Sequence, residues 1–121
     1  MRYLFSLLVA TILLTSCGDQ KLNEKISENN LSAKVEYGDK IVNKTIFESD
    51  YKMIVFAMRK DQDLKPHSAS MEAPMLMLEG SAKVTIGDET TIVEKGDIIT
   101  LPKNIVHGVY PITDCKFLLI K

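Results

Sequence analysis

Two histidines, His67 and His107, are the side chains of this sequence best suited to site chemistry. They are the only histidines in its 121 residues. A neutral imidazole binds transition metals and forms hydrogen bonds with small polar ligands near neutral pH. Two imidazoles alone make a weak metal site, because stable sites for zinc, iron or manganese normally use three or four protein ligands. Any such chemistry therefore needs further donors beside these two residues.

The stretch after His67 offers two sets of further donors. Glu72 with His67 and His107 would form a two-histidine, one-carboxylate set with open coordination positions. Met71, Met75 and Met77 cluster in the same stretch, and thioethers combined with imidazole suit Cu(I). Methionine is also a flexible filler of irregular cores, and we expect that role for these three residues.

Other kinds of site find no support in the sequence. It has no nucleophile elbow, no glycine-rich phosphate loop and no pair of cysteines at metal-binding spacing. The 15 basic and 16 acidic residues give a formal net charge of −1, and no basic run is present. Nucleic-acid binding therefore has no electrostatic basis. With 45% apolar and 26% charged residues, the chain has the composition of one ordinary globular domain.

The elements that must position the histidines are predicted to be short strands. Glu79-Gly80, Gly87-Asp88 and Pro102-Lys103-Asn104 are typical turns, and Gly87-Asp88 is a hairpin signal. Turns at this density, without a long helical period, indicate an all-β sandwich or barrel. The predicted strands are 41–47, 51–58, 75–78, 82–86, 90–93, 98–101, 106–110 and 116–120.

The first sixteen residues have the features of a secretory signal: Arg2 followed by an apolar run that is short for a membrane span. The run ends in Leu14-Thr15-Ser16-Cys17, which resembles the bacterial lipobox. The resemblance implies cleavage before Cys17 and lipid on its sulfur. We expect a protein anchored in the bacterial cell envelope, facing the periplasm from the outer membrane in a Gram-negative host. Residues 17–34 are polar and are predicted to be a tether.

Cys115 is the only other cysteine. With Cys17 lipidated, it has no partner for a disulfide within the chain. We expect a buried, unreactive thiol at the start of a strand. A reactive thiol or an intermolecular bridge is the alternative.

Two stretches resemble the paired motifs of the cupins. The run Gly96-Asp97-Ile98-Ile99-Thr100-Leu101-Pro102-Lys103-Asn104-Ile105-Val106-His107 is similar to the second motif, with Asn104 where the family often has glycine. His67 and Glu79-Gly80 fit the frame of the first motif. The resemblance covers residues 41–121 and implies a single small jelly-roll barrel at 35–121. The resemblance is greatest to a branch of the cupins whose first motif has only one histidine.

The resemblance also assigns four metal-ligand positions. They fall at His67, Ala69, Ala73 and His107, so alanine replaces two of the four ligands. The set is therefore expected to bind metal poorly. Glu72 is one residue from the carboxylate position. In a strand, a shift by one residue turns the side chain to the opposite face of the sheet, so Glu72 reaches the site only if residues 68–74 form a loop.

These observations leave three functions open. The first is a small-molecule binding module without a cofactor, its pocket lined by His67, Met75, Met77, His107 and Val109. The second is a metal-dependent enzyme of the dioxygenase or isomerase type, in which His67, Glu72 and His107 hold a divalent transition metal. The third is a structural envelope protein with a vestigial pocket. Self-association through Leu76 and Leu78 on an outer sheet face is a further expectation.

Overall fold

The computed structural model describes residues 29–121, so the predicted signal peptide and Cys17 lie outside the described residues. The described part confirms the all-β prediction, and its only helical element is one short 3-10 turn. No helix in this part has the length and apolar character needed to cross a bilayer. The strands are β1 (Val42–Glu48), β2 (Lys52–Met58), β3 (Leu64–His67), β4 (Ala73–Glu79), β5 (Ser81–Ile86), β6 (Glu89–Glu94), β7 (Ile98–Leu101), β8 (His107–Pro111) and β9 (Cys115–Ile120).

The strands form two antiparallel sheets that pack face to face as a jelly roll. One sheet has the order β1-β2-β9-β4-β7 and the other has the order β3-β8-β5-β6. Alternate residues of both sheets point inward, as the period of two in a strand requires. The main core between the sheets includes Met58, Met75, Met77, Val84, Val109 and Phe117.

The five-stranded sheet is buried on both faces at its centre. On the outer face, Val55, Ala57 and Leu118 form a second apolar cluster with Val35. This double burial explains why β2 is a nearly continuous apolar run rather than an alternating one.

The cover over this outer face comes from the end of the predicted tether. Leu31–Lys34 form a 3-10 turn, and the Asn30 side chain accepts a hydrogen bond from the Ala33 amide at its start. Leu31 packs against the second cluster, together with Leu76 and Leu78. The folded part of the chain therefore begins before Val35. Leu76 and Leu78 lie on the outer face as predicted, but the chain itself covers them in part, and self-association stays a prediction.

A group of polar residues, here called the outer polar cluster, fixes this cover to the sheet: Tyr37, Glu79 and Lys116. The Tyr37 hydroxyl donates to Glu79 Oε2 at 2.8 Å, and Lys116 Nζ lies 3.7 Å from Glu79 Oε1. Lys116 Nζ also donates to the Ser32 carbonyl at 2.7 Å. Burial, and then the hydrogen bond to Glu79, raise the pKa of Tyr37 well above its ordinary value. The phenol therefore stays protonated and keeps donating.

Strand β3 is the one strand that the sequence pattern does not predict. Its residues, Leu64–His67, include only one large apolar side chain and a proline. The strand lies at the edge of its sheet, where it pairs only with β8. An edge strand tolerates proline because one side of its backbone needs no partner. The strand propensities of these residues therefore do not predict β3, and only its pairing with β8 identifies it as a strand.

Cys115 is a buried free thiol at the first position of β9, as predicted. Burial, with a smaller contribution from the negative charge of Asp114, raises its pKa to about 11. The thiol is therefore protonated at neutral pH and unreactive as a nucleophile.

Candidate functional site

The two histidines meet across neighbouring strands. His67 ends β3, His107 begins β8, and the two residues are register partners in the sheet. Their ring centroids are 4.6 Å apart, and the rings meet edge to face at 66°. Residues that are distant in sequence thus form one pair, here called the histidine pair.

Each imidazole of the histidine pair is anchored in the same way. Nδ1 of His67 lies 3.0 Å from the Lys65 carbonyl oxygen, and Nδ1 of His107 lies 3.0 Å from the Ile105 carbonyl oxygen. A carbonyl oxygen only accepts, so Nδ1 carries the proton in both rings. The neutral ring then keeps its lone pair on Nε2. Both Nε2 atoms are therefore set up as acceptors or ligands.

The two rings differ in burial. His107 is only 3% exposed, whereas His67 lies at the surface. Burial lowers the pKa of His107; the hydrogen bond to the Ile105 carbonyl opposes this shift, and the charge of His67 adds to it. His107 is consequently neutral at pH 7, with Nε2 unprotonated.

The loop before His107 has a fixed shape. Asn104 adopts a positive φ of 60°, which asparagine tolerates better than most residues and which the sequence pattern predicts. The backbone N–H of Asn104 donates to the Ala69 carbonyl at 2.8 Å. This bond joins the loop before β8 to the loop after β3. The Gly87 amide donates to the Val106 carbonyl at 2.8 Å. These bonds hold both histidines at the same end of the barrel.

The histidine pair borders a cavity of about 60 Å³, here called the inner cavity. No buried side-chain nitrogen or oxygen in residues 29–121 lacks a hydrogen-bond partner. In this part of the chain no group bonds to Nε2 of His107, so this atom is not sealed off, and its residue lines the cavity. Apolar side chains form most of the remaining wall: Leu64, Leu101, Val109, Phe117 and Leu119.

Of the predicted pocket residues, His67, His107 and Val109 line the inner cavity. Met75 and Met77 do not line it; they are 0% and 1% exposed and lie in the main core. Met71, which was not predicted to line the pocket, does so and is 54% exposed. Alternation along β4 buries both side chains, but they pack in the main core and do not line the cavity. Lys121 is a further lining residue that sequence reasoning missed.

The structure does not assemble His67, Glu72 and His107 into one group. Residues 29–121 contain no cluster of three or more histidine, cysteine, aspartate or glutamate side chains suited to a metal ion. Glu72 is exposed and directly precedes β4, whose first residue, Ala73, is buried toward the interior. Glu72 is not among the residues that line the inner cavity with the histidine pair.

The two alanines are where the sequence resemblance places ligands. Ala69 and Ala73 both line the inner cavity beside the histidine pair. The cavity wall therefore offers two imidazole nitrogens and no carboxylate. This donor set does not fit a firmly held transition metal, which needs three or four ligands.

Comparison with known proteins agrees with the jelly-roll fold. Residues 54–121 match the family model described as a cupin domain. The chain belongs to the cupin family. Among curated proteins, no sequence matches this cupin chain.

Many solved structures share the fold of this cupin. A conserved protein of unknown function from Streptococcus pyogenes is 30% identical, with a TM-score of 0.69, and the match covers 74% of this chain and 81% of that one. A cupin 2 conserved barrel domain protein from Leptotrichia buccalis is 35% identical, with a TM-score of 0.71, and covers 75% and 45%. A cupin superfamily protein from Desulfitobacterium hafniense, at 18% identity and a TM-score of 0.72, covers 76% and 86% and shows the fold alone.

Proposed function

We propose that this cupin is a small-molecule binding module. The histidine pair is the main support for this proposal: each ring is anchored through Nδ1, and each Nε2, beside the inner cavity, has no hydrogen-bond partner among residues 29–121. Such acceptors satisfy a hydroxyl or amine of a ligand. The surrounding wall is apolar, as in most ligand pockets.

The inner cavity limits the size of the ligand group that enters it. Its volume is about 60 Å³, whereas pockets for drug-sized molecules measure roughly 300–1,000 Å³. The group that meets the imidazoles therefore contains only a few non-hydrogen atoms.

Attachment to a membrane is part of the proposal and depends on the sequence. The lipobox-like Leu14-Thr15-Ser16-Cys17 supports lipid on Cys17 and a position in the cell envelope. Stable anchoring requires about two acyl chains. Incorporation of a labelled fatty acid, lost in Cys17→Ser, tests this part independently of the pocket.

Native mass spectrometry tests the pocket, using protein purified from its own host. We expect a bound small molecule in the wild type and its loss in His67→Asn and His107→Asn. Asparagine keeps a donor for the backbone carbonyl but removes Nε2, so the variants separate binding from loop anchoring. Lys65→Gln, on the exposed part of β3, is the matched control.

Metal analysis of the same samples decides between binding and the metal-dependent enzyme. Stoichiometric iron, manganese, nickel or copper that survives a chelator and disappears in His107→Asn would overturn the proposal. A protein without any bound species, whose two variants retain all other properties, would instead indicate a structural envelope protein.

A further inference from the structure

The inner cavity adjoins a larger depression of about 340 Å³, here called the outer groove. Ala69, Met71 and Lys121 line both spaces, so these three residues form the boundary between them. The rest of the outer groove is more polar and is lined by Ser49, Asp50, Tyr51, Lys52 and Ser70. A ligand longer than the inner cavity would extend past this boundary.

Lys121 at the boundary lies opposite Lys52 of the outer groove. The Lys52 amide donates to the Lys121 carbonyl at 2.6 Å, and the Lys121 amide donates to the Lys52 carbonyl at 2.9 Å. Phe117 and Leu119, which share strand parity with Lys121, also line the inner cavity. Like charges directly opposite in a sheet repel each other, and an anion between them removes that cost.

The charge near these lysines is only partly balanced. Lys52 Nζ lies 3.4 Å from a carboxylate oxygen of Glu48, and the two side chains are 49% and 61% exposed. Asp50 adds one further carboxylate to the outer groove. Within residues 29–121, no carboxylate lies within ion-pair distance of the Lys121 ammonium group. Of the two lysines, Lys121 is therefore the one without an ion-pair partner in the described part of the chain.

We infer that the ligand is a short hydroxycarboxylic acid, an inference that rests on the proposed function of the pocket. Its carboxylate lies at Lys121 and Lys52, where two ammonium groups supply charge and donors. Its hydroxyl lies in the inner cavity and donates its single proton to Nε2 of one ring of the histidine pair. The few-atom size of the inner cavity fits such a tail. One cationic end and one accepting end thus fix the orientation of the ligand.

Proton NMR can test this inference because the chain has only two histidines. Purified protein without a histidine tag gives two ring Cε1–H signals to follow. The probes are glycolate, 3-hydroxypropionate and 4-hydroxybutyrate, which place the hydroxyl at increasing distance from the carboxylate. Their neutral amides are the matched probes. We expect at least one acid to shift both histidine signals at pH 7.5 and to bind at least tenfold more tightly than its amide.

Lysine variants locate the anion. Lys52→Gln with Lys121→Gln should weaken binding of that acid by at least tenfold and leave the amide unchanged, while Lys52→Arg with Lys121→Arg should restore most of the affinity. Lys40→Gln with Lys95→Gln is the matched control, because it removes two exposed charges from loops on other parts of the surface.

The outcomes separate this inference from the proposed function. Equal binding of acids and amides, or unchanged affinity in the glutamine variants, overturns the inference and leaves the binding module in place. Binding that depends on the lysines but not on Nε2, judged with His67→Asn and His107→Asn, also overturns it, because the ligand would then occupy the outer groove alone. If none of the three acids binds, the inference is wrong, and the ligand from the host decides the proposed function separately.

Discussion

The outer polar cluster and the histidine pair are two polar groups within one small β-sandwich, and they differ in how their atoms are paired. In the cluster, Tyr37, Glu79 and Lys116 all bond to one another or to the Ser32 carbonyl. In the histidine pair, each ring bonds to the backbone through Nδ1 and leaves Nε2 beside a cavity.

This difference distinguishes a structural polar group from a binding one. A polar group whose atoms are all satisfied inside the chain stabilises a local arrangement, here the cover over the outer face of the five-stranded sheet. A group with anchored geometry but a free acceptor keeps its hydrogen-bonding capacity for a ligand. Variants in the two groups should therefore affect different measurements.

The largest effect should come from restoring donors to the inner cavity. Ala69→His with Ala73→Glu would place four donors around one space, because both alanines line the cavity with the histidine pair. We expect affinity for Ni²⁺ or Mn²⁺ to rise at least ~100-fold, about 2.7 kcal/mol, measured by calorimetry. Ala69→Ser with Ala73→Gln is the control of similar polarity. No gain over this control would show that the four positions do not converge.

The outer polar cluster should respond in stability rather than in binding. Glu79→Gln removes the charge that faces Lys116, and we expect the free energy of unfolding to fall by about 2 kcal/mol in urea titration. The loss is moderate because the Glu79 side chain is 39% exposed and water replaces part of the interaction. The exposed Glu89→Gln is the control, with an effect within about 0.5 kcal/mol. A shift of the histidine NMR signals in Glu79→Gln would contradict the separation of the two groups.

Acidification should destabilise the protein through His107. Its pKa in the folded state lies below the ordinary value of about 6.5, so the unfolded chain binds the proton more readily. The stabilising contribution is thus fully present above pH 6.5 and is lost as the pH falls from there through the lowered pKa. Each pKa unit of difference is worth about 1.4 kcal/mol.

Urea titrations at several pH values between 7.5 and 5, with His107→Asn alongside, measure this dependence. The variant should show a flatter dependence of stability on pH than the wild type. Equal slopes in the two proteins would assign the acid sensitivity to other groups.

The smallest effect is expected for Glu72→Gln. Glu72 is exposed and does not line the inner cavity, so stability should change by less than about 0.5 kcal/mol. Metal content and the histidine NMR signals should also stay the same. A loss of bound metal in this variant would instead support a metal site formed by His67, Glu72 and His107.

Much of the fold was predictable because strand signals are local. Alternation identified the two faces of β5, with Val84 buried and Lys83 exposed. Glycine and asparagine marked turns that need a positive φ, as at Gly87 and Asn104. The apolar run of β2 is consistent with its burial on both faces. The edge strand β3 was missed because its residues carry no alternation.

The site was predictable only in part. His67 and His107 were identifiable as the only imidazoles, and Ala69 and Ala73 as positions beside them. The exclusion of Glu72, the depth of Met75 and Met77, and the presence of Lys121 depend on where separate segments come together.

The sequence by itself determined the all-β class, most strand positions and the small number of metal-ligand donors around the two histidines. These properties follow from residue type and short-range pattern. Only the tertiary structure decided that His67 faces His107 and that Lys52 faces Lys121. Strand register and sheet order join residues that are distant in the chain, and burial of the shared core fixes both. Short-range patterns contain no information about such pairings.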